Sequence, residues 1–134
     1  MLRDTLGLKD AVEVPGLRFR LEELRPRLNT VGLGIVPVRR DVFTDVMLPT
    51  KIVEYVRLGI PVAVCWTPTI SHYFPDDTVL FIRDFTPAGV ARIIGEALAA
   101  PERARERAER AQALPIARSW QENEQAYVEI ISEG

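Results

Sequence analysis

The chain has 134 residues, 47% of them hydrophobic, which is one domain's worth of sequence with enough apolar side chains for a packed core. A net charge of -2 gives no case for a nucleic-acid partner or an anionic membrane surface. The single cysteine, Cys65, excludes an internal disulfide, no apolar stretch has the length to span a bilayer, and the N-terminus does not read as a signal peptide. A reducing, cytoplasmic setting is the default expectation.

In chain order, Thr5 to Lys9 reads as the end of a helix, with Gly7 near its C-cap. Ala11 to Val14 is a short strand candidate, stopped by Pro15-Gly16. Leu21 to Leu28 is predicted helical, with Leu21, Leu24, Leu28 and Phe19 on one face. Pro26 inside it lacks a backbone donor. Val31 to Val38 is a nearly continuous apolar run that fits a strand covered on both faces. A polar loop, Arg39 to Met47, leads into a helix from Pro49 to Leu58. Proline is favoured at a first helical position, and Gly59 supplies the left-handed residue that ends the helix.

Pro61 to Trp66 is the next buried strand. Cys65 lies inside this run and reads as a small core residue rather than a reactive thiol. Thr69 to Phe74 is a short helix or turn, and Thr78 to Ile82 a further strand. Thr86 caps a helix from Pro87 to Ala99, with Val90, Ile93, Ile94, Ala97 and Leu98 on its apolar face. Pro101 restarts a charged helix to about Ala113, whose Glu106–Arg110 spacing and alternating charges read as a solvated face. A last helix from Ser119 to Ile131 carries Trp120, Tyr127, Val128 and Ile131 at roughly helical spacing.

This alternation predicts an α/β fold, a parallel sheet with flanking helices. Ligands of such sheets bind beyond the carboxyl ends of the strands. The Arg39–Met47 loop occupies such a place. The free amides at residues 48 to 51, the positive end of the helix dipole and the Lys51 ammonium together suit a phosphate. Glu54 lies one turn further along, near the same face, where a carboxylate accepts two hydrogen bonds from a ribose diol. The competing reading is a surface Lys51–Glu54 ion pair worth a few tenths of a kcal/mol. His72 reads as a capping or surface residue. There is no Ser/His/Asp set, no metal-ligand cluster and no glycine-rich phosphate loop.

Three segments carry a resemblance: Val31-Gly-Leu-Gly-Ile-Val-Pro37, Asp41-Val-Phe-Thr-Asp45, and Leu48-Pro-Thr-Lys-Ile-Val-Glu-Tyr-Val-Arg-Leu-Gly-Ile-Pro-Val62. Together they resemble the C-terminal nucleotide-sugar-binding domain of retaining GT-B glycosyltransferases of the family 4 type, in the subgroup with a Pro-Thr-Lys-…-Glu-Tyr helix. Leu6-Gly-Leu-Lys-Asp-Ala-Val-Glu-Val-Pro-Gly16 and Leu21-Glu-Glu-Leu24 are similar to that domain's entry, and Trp120 with the final helix to its closing segment. The resemblance implies a Rossmann-like, incomplete GT-B C-terminal domain spanning residues 1–134. It implies that Glu54 binds the nucleotide ribose, that Thr50 and Lys51 lie near the diphosphate, and that the Asp41–Asp45 loop faces the donor sugar. Arg39 and Arg40 are placed to reach phosphates or to stay solvated. The partner implied is a nucleotide-diphosphate sugar, used as substrate with no cofactor and no metal.

The sequence departs from the family at two points. Many relatives carry a second glutamate at the place of Val46, and Asp45, one position away, is the nearest substitute. The acceptor domain and the first strands of the nucleotide-binding domain, with their phosphate-binding Arg and Lys, have no counterpart in this sequence. The chain alone is therefore expected to be inactive. The remaining strands, at 11–14 and 31–38, are expected either to pair directly or to leave a gap for a homo-oligomer or partner chain. Two functions stay open: the donor-binding half of a glycosyltransferase, or a non-catalytic relative that binds a nucleotide or a protein. An unrelated Rossmann-like domain is a third.

Overall fold

The computed structural model describes residues 2–14 and 20–132, in two compact units, Met1–Thr30 and Val31–Gly134. The first unit holds helix α1, Leu2–Thr5, and helix α2, Leu21–Leu28. Helix α1 ends earlier than the sequence suggests, and Gly7 sits at φ 67° just beyond it. Helix α2 keeps its predicted bounds with Pro26 inside, and the Glu23 carboxylate accepts the Arg20 amide at 3.0 Å at its start.

The strand expected over Ala11–Val14 does not form. The amides of Ala11 and Val12 instead close a turn onto the Leu8 carbonyl, and the Arg3 guanidinium donates to the Val12 carbonyl at 3.2 Å. Extended backbone without a ladder partner gains nothing from its polar groups, so the turn wins. The stop expected at Pro15-Gly16 and the place of Phe19 on the α2 face lie outside the described residues.

The second unit is built on three parallel strands, β1 Gly34–Val36, β2 Val62–Cys65 and β3 Leu80–Ile82, in the order β1-β2-β3. Gly34 pairs with Val62 and Val36 with Val64, while Val64 pairs with Phe81 and Cys65 with Ile82. Helix α3, Thr50–Arg57, joins β1 to β2, and helix α4, Pro68–Tyr73, joins β2 to β3. Helices α5, Pro87–Ala99, and α6, Pro101–Gln112, follow, then a 3₁₀ turn, Pro115–Ala117, and helix α7, Trp120–Ser132.

Position in the sheet explains where the strand readings hold. The central strand β2 is buried at every residue, as a two-sided apolar strand should be. The 31–38 run was expected to be covered on both faces. Only Gly34–Val36 is strand, and its burial alternates, with Ile35 less buried than its neighbours. It hydrogen-bonds to β2 alone, so one set of its backbone groups has no ladder to extend it. Gly34 lies under the Tyr55 ring of α3: a Cβ there would stand 2.7 Å from the ring. Helix α3 therefore covers the face of β1 that carries Gly34 and Val36.

The core is formed by Val36, Ile52, Val56, Val62, Val64, Ile70, Phe74, Val79, Ile82 and Ile93. Two helix readings need correction. Leu98 was placed on the apolar face of α5 but is 71% exposed. The face that packs carries Gly89, Ile93 and Ala97, spaced four apart, and Leu98 falls about 100° round from Ala97. Helix α6 is more than a solvated exterior, because Ala104, Ala108 and Ala111 are buried. These small side chains let α6 approach α3 and α5 closely. Nor does Arg110 pair with Glu106. It ion-pairs with Asp77 at 3.3 Å and donates to the Asp77 carbonyl at 3.0 Å, while Arg107 donates to the carbonyls of Asp76 and Val79.

Behind α3, Gly59 at φ 70° ends the helix as the sequence requires. The Arg57 guanidinium then clamps the carbonyls of Ala117 and Arg118. Helix α7 leaves Trp120, Tyr127, Val128, Ile130 and Ile131 exposed.

Candidate functional site

The carboxyl ends of the three strands release three short segments at one edge of the sheet, where parallel α/β folds carry their sites. From β1 the chain runs through Val38 to Arg39 and Arg40 and into the loop 41–46. A set of short-range hydrogen bonds closes this loop. The Asp41 carboxylate accepts the Thr44 amide at 2.8 Å, and the Thr44 hydroxyl donates to the Arg39 carbonyl at 2.8 Å. The Thr44 hydroxyl also accepts the Asp41 amide at 2.7 Å, and the Asp45 amide reaches the Asp41 carbonyl at 2.9 Å. The Thr69 hydroxyl donates to the Asp45 carbonyl at 2.7 Å and so ties the loop to α4. On this fixed frame Val42, Phe43 and Val46 stand in solvent.

The Thr44 amide, followed by the other loop donors and Arg39, holds the Asp41 carboxyl below its ordinary range. A depressed folded-state value means that Asp41 contributes stability above the pKa it has in the unfolded chain. That contribution is lost as pH falls through the lower folded value. Acidification is therefore expected to loosen this loop. Amide exchange of Thr44 should rise with falling pH in step with the Asp41 carboxyl shift seen by NMR, and Asp41→Asn should blunt that pH dependence.

Helix α3 begins without a side-chain cap. Pro49 occupies the capping position, one place before the first helical residue, and has no hydroxyl or carboxyl to offer. The sequence suggested Pro49 as the first helical residue; it stands one place earlier, with α3 running Thr50–Arg57. Among the described residues, the amides of Thr50 and Lys51 have no acceptor. Lys51 and Glu54 are exposed, and neither makes an ion pair among the described residues, so the bland surface-pair reading is not realised. What the helix presents is an unsatisfied N-terminus, a free ammonium and, one turn on, a free carboxylate.

Arg40, Asp41 and Asp45, also named from the sequence, are already engaged. Arg40 bonds the Asp45 carboxylate at 3.0 Å and lies over the Trp66 ring, 5.2 Å from its centroid. Asp41 is held by Thr44. His72 is exposed and meets Tyr73 edge-on, and Cys65 is buried, its sulfur accepting the Val38 amide at 3.3 Å. Sequence reasoning missed the other half of this edge. Arg83, leaving β3, lies over the opposite neighbour Trp66 at 5.5 Å and bonds Asp76 at 3.1 Å. A cleft of about 520 Å³ opens between Val38–Arg40, Cys65, Phe85 and Val90. Thr50, Lys51 and Glu54 do not line it. The one available signal was positional: Trp66 and Arg83 each follow directly on an apolar strand, and Phe85 stands two residues beyond Arg83.

Among the described residues no group of three or more His, Cys, Asp and Glu side chains gathers to hold a metal. No described helix is long and apolar enough to cross a membrane.

A parallel sheet flanked by helices, with its loops gathered at the carboxyl edge, defines this chain as a Rossmann-like α/β protein. No family model and no curated protein matches its sequence. Among solved structures, sucrose-phosphate synthase from Thermosynechococcus elongatus superposes with a TM-score of 0.69 at 22% identity, over 99% of this chain and 33% of that one. The chain thus spans a third of the length of the enzyme it matches and has the fold of part of a GT-B glycosyltransferase.

Proposed function

We propose that this chain is the donor-binding part of a glycosyltransferase, in which a sugar passes from a nucleotide diphosphate to an acceptor. The observation that carries the reading is the bare start of α3: unbonded amides at Thr50 and Lys51, with the free Lys51 and Glu54 side chains beside them. In this reading the amides, the helix dipole and Lys51 hold the diphosphate, and Glu54 accepts the ribose hydroxyls. Fixed dipoles aimed at the diphosphate stabilise it as it leaves, with no reorganisation at the moment of transfer. Asp41 and Asp45 face the sugar on a loop of set shape, and Arg40, paired with Asp45, holds that loop beside the donor. An acceptor domain or partner chain supplies the rest of the cleft. The proposed setting is cytoplasmic, in keeping with one buried free thiol.

Calorimetric titration with UDP, GDP and ADP tests this. One nucleotide should bind, and Glu54→Ala should weaken it by about 1.5–3 kcal/mol, the worth of a charged hydrogen bond. Binding unchanged in both Glu54→Ala and Lys51→Ala would refute the assignment. A second reading, a non-catalytic protein-binding module, is favoured by the exposed Val42, Phe43 and Val46 on a pinned loop. It would gain if no nucleotide bound while the chain self-associated in a way that Phe43→Ser abolished.

A further inference from the structure

A second binding feature lies at the same edge of the sheet. By the alternation of side chains along a strand, Pro37 and Cys65 belong to the face turned away from Gly34, and hence away from α3. There the cleft of about 520 Å³ opens at the carboxyl end of the strands. This is within the usual range for small-molecule sites.

Its lining is divided chemically. Val38 and Cys65 are buried, Val90 is half-buried, and Phe85 presents a ring that is 42% exposed. Arg39 and Arg40 complete the lining. The Arg40 guanidinium is fixed by the Asp45 carboxylate and the Trp66 ring. That of Arg39 makes no ion pair among the described residues, although its charge reaches Asp41. Arg39 therefore offers a planar fork of donors that no carboxylate among the described residues receives, while the charge of Arg40 is already answered by Asp45.

We propose that this cleft is a small-molecule site separate from the α3 N-terminus, taking a compact apolar or aromatic body that bears one carboxylate or phosphate. The apolar wall seats the body, with Phe85 against its flat face. Arg39 takes the anion in a two-pronged contact. A bare anion leaves the wall wet, and a neutral body leaves Arg39 unanswered, so neither half suffices. The inference does not depend on the donor reading, because no residue assigned there except Arg40 lines the cleft.

Titration of the whole chain with phenyl phosphate, benzoate, phenol and inorganic phosphate, followed by amide NMR, tests it. Phenyl phosphate or benzoate should bind saturably, shifting the amides of Val38 and Cys65, and at least about tenfold more tightly than phenol or phosphate. Arg39→Gln should weaken that binding about tenfold and Phe85→Ala several-fold, with the fold intact by circular dichroism. Three results would overturn the proposal: no saturable binding of any probe, equal binding of phenol, or a loss in Lys51→Ala with none in Arg39→Gln. The last would place the probe at the start of α3.

Discussion

Truncating Phe74 to alanine is expected to lower stability by about 3–5 kcal/mol, the largest effect of any single substitution considered for this chain. The ring is fully buried, and its amide closes α4 by donating to the Ile70 carbonyl at 2.9 Å. It packs among Ile52, Ile70, Val79 and Ile82 in one core cluster. Removing it leaves a cavity that rigid strands on one side and a short helix on the other cannot collapse to fill. Small domains are stable by only about 5–15 kcal/mol, so the loss is a large share of the total. It also reaches the site, because α4 carries the Thr69 hydroxyl that anchors the 41–46 loop through the Asp45 carbonyl. Phe43→Ala is the matched control: that ring is 70% exposed, and its loss should change stability by less than about 0.5 kcal/mol. Urea unfolding of the two variants measures the contrast.

Gly89→Ala is expected to cost about 2–4 kcal/mol, through overpacking and a broken helix cap. A Cβ at Gly89 would stand 2.2 Å from the Asp84 carbonyl oxygen and 2.5 Å from the Asp84 Cγ. Backbone cannot rotate aside as a side-chain tip would. Nor is Asp84 free to shift, because its carboxylate accepts the Thr86 amide at 3.0 Å, a bond that also holds the carboxyl below its ordinary range. The Thr86 hydroxyl in turn accepts the Gly89 amide at 3.1 Å. Making room for one methyl group thus opens the entire start of α5. Gly95→Ala on the same helix should have the opposite sign. Nothing lies within 4 Å of its Cβ position, and alanine in an exposed helix interior should gain about 0.5–1 kcal/mol. Thermal unfolding of both variants should show one Tm falling and the other rising.

Local signals in the sequence were reliable where the structure is itself local. Thr86 and Pro87 open α5 as expected, because a hydroxyl cap and a proline in the first turn are properties of a few neighbouring residues. The i, i+3 spacing of Lys51 and Glu54 placed both at the start of α3 for the same reason. The α/β class followed from alternating elements, and the likeness to a GT-B enzyme stands at the level of fold. The errors lie where distant chain segments decide. The 31–38 run says strand, but whether three or eight of its residues pair depends on a neighbour the run does not encode. Ala11–Val14 had strand composition and no ladder to join. Arginines on α6 read as solvated until the turn at 76–79 brought carbonyls to Arg107 and Arg110. The Arg40–Trp66–Arg83 stack and the cleft beside it need three strand ends, far apart in sequence, aligned by parallel register.

On this reading the start of α3 receives a nucleotide diphosphate. Backbone amide NMR during titration with the tightest-binding of UDP, GDP and ADP tests it most directly. The largest shifts are expected at Thr50, Lys51 and Ile52, with Glu54 next, and they should shrink sharply in Glu54→Ala at the same nucleotide concentration. Shifts centred on another element, or none at saturating nucleotide, would contradict it.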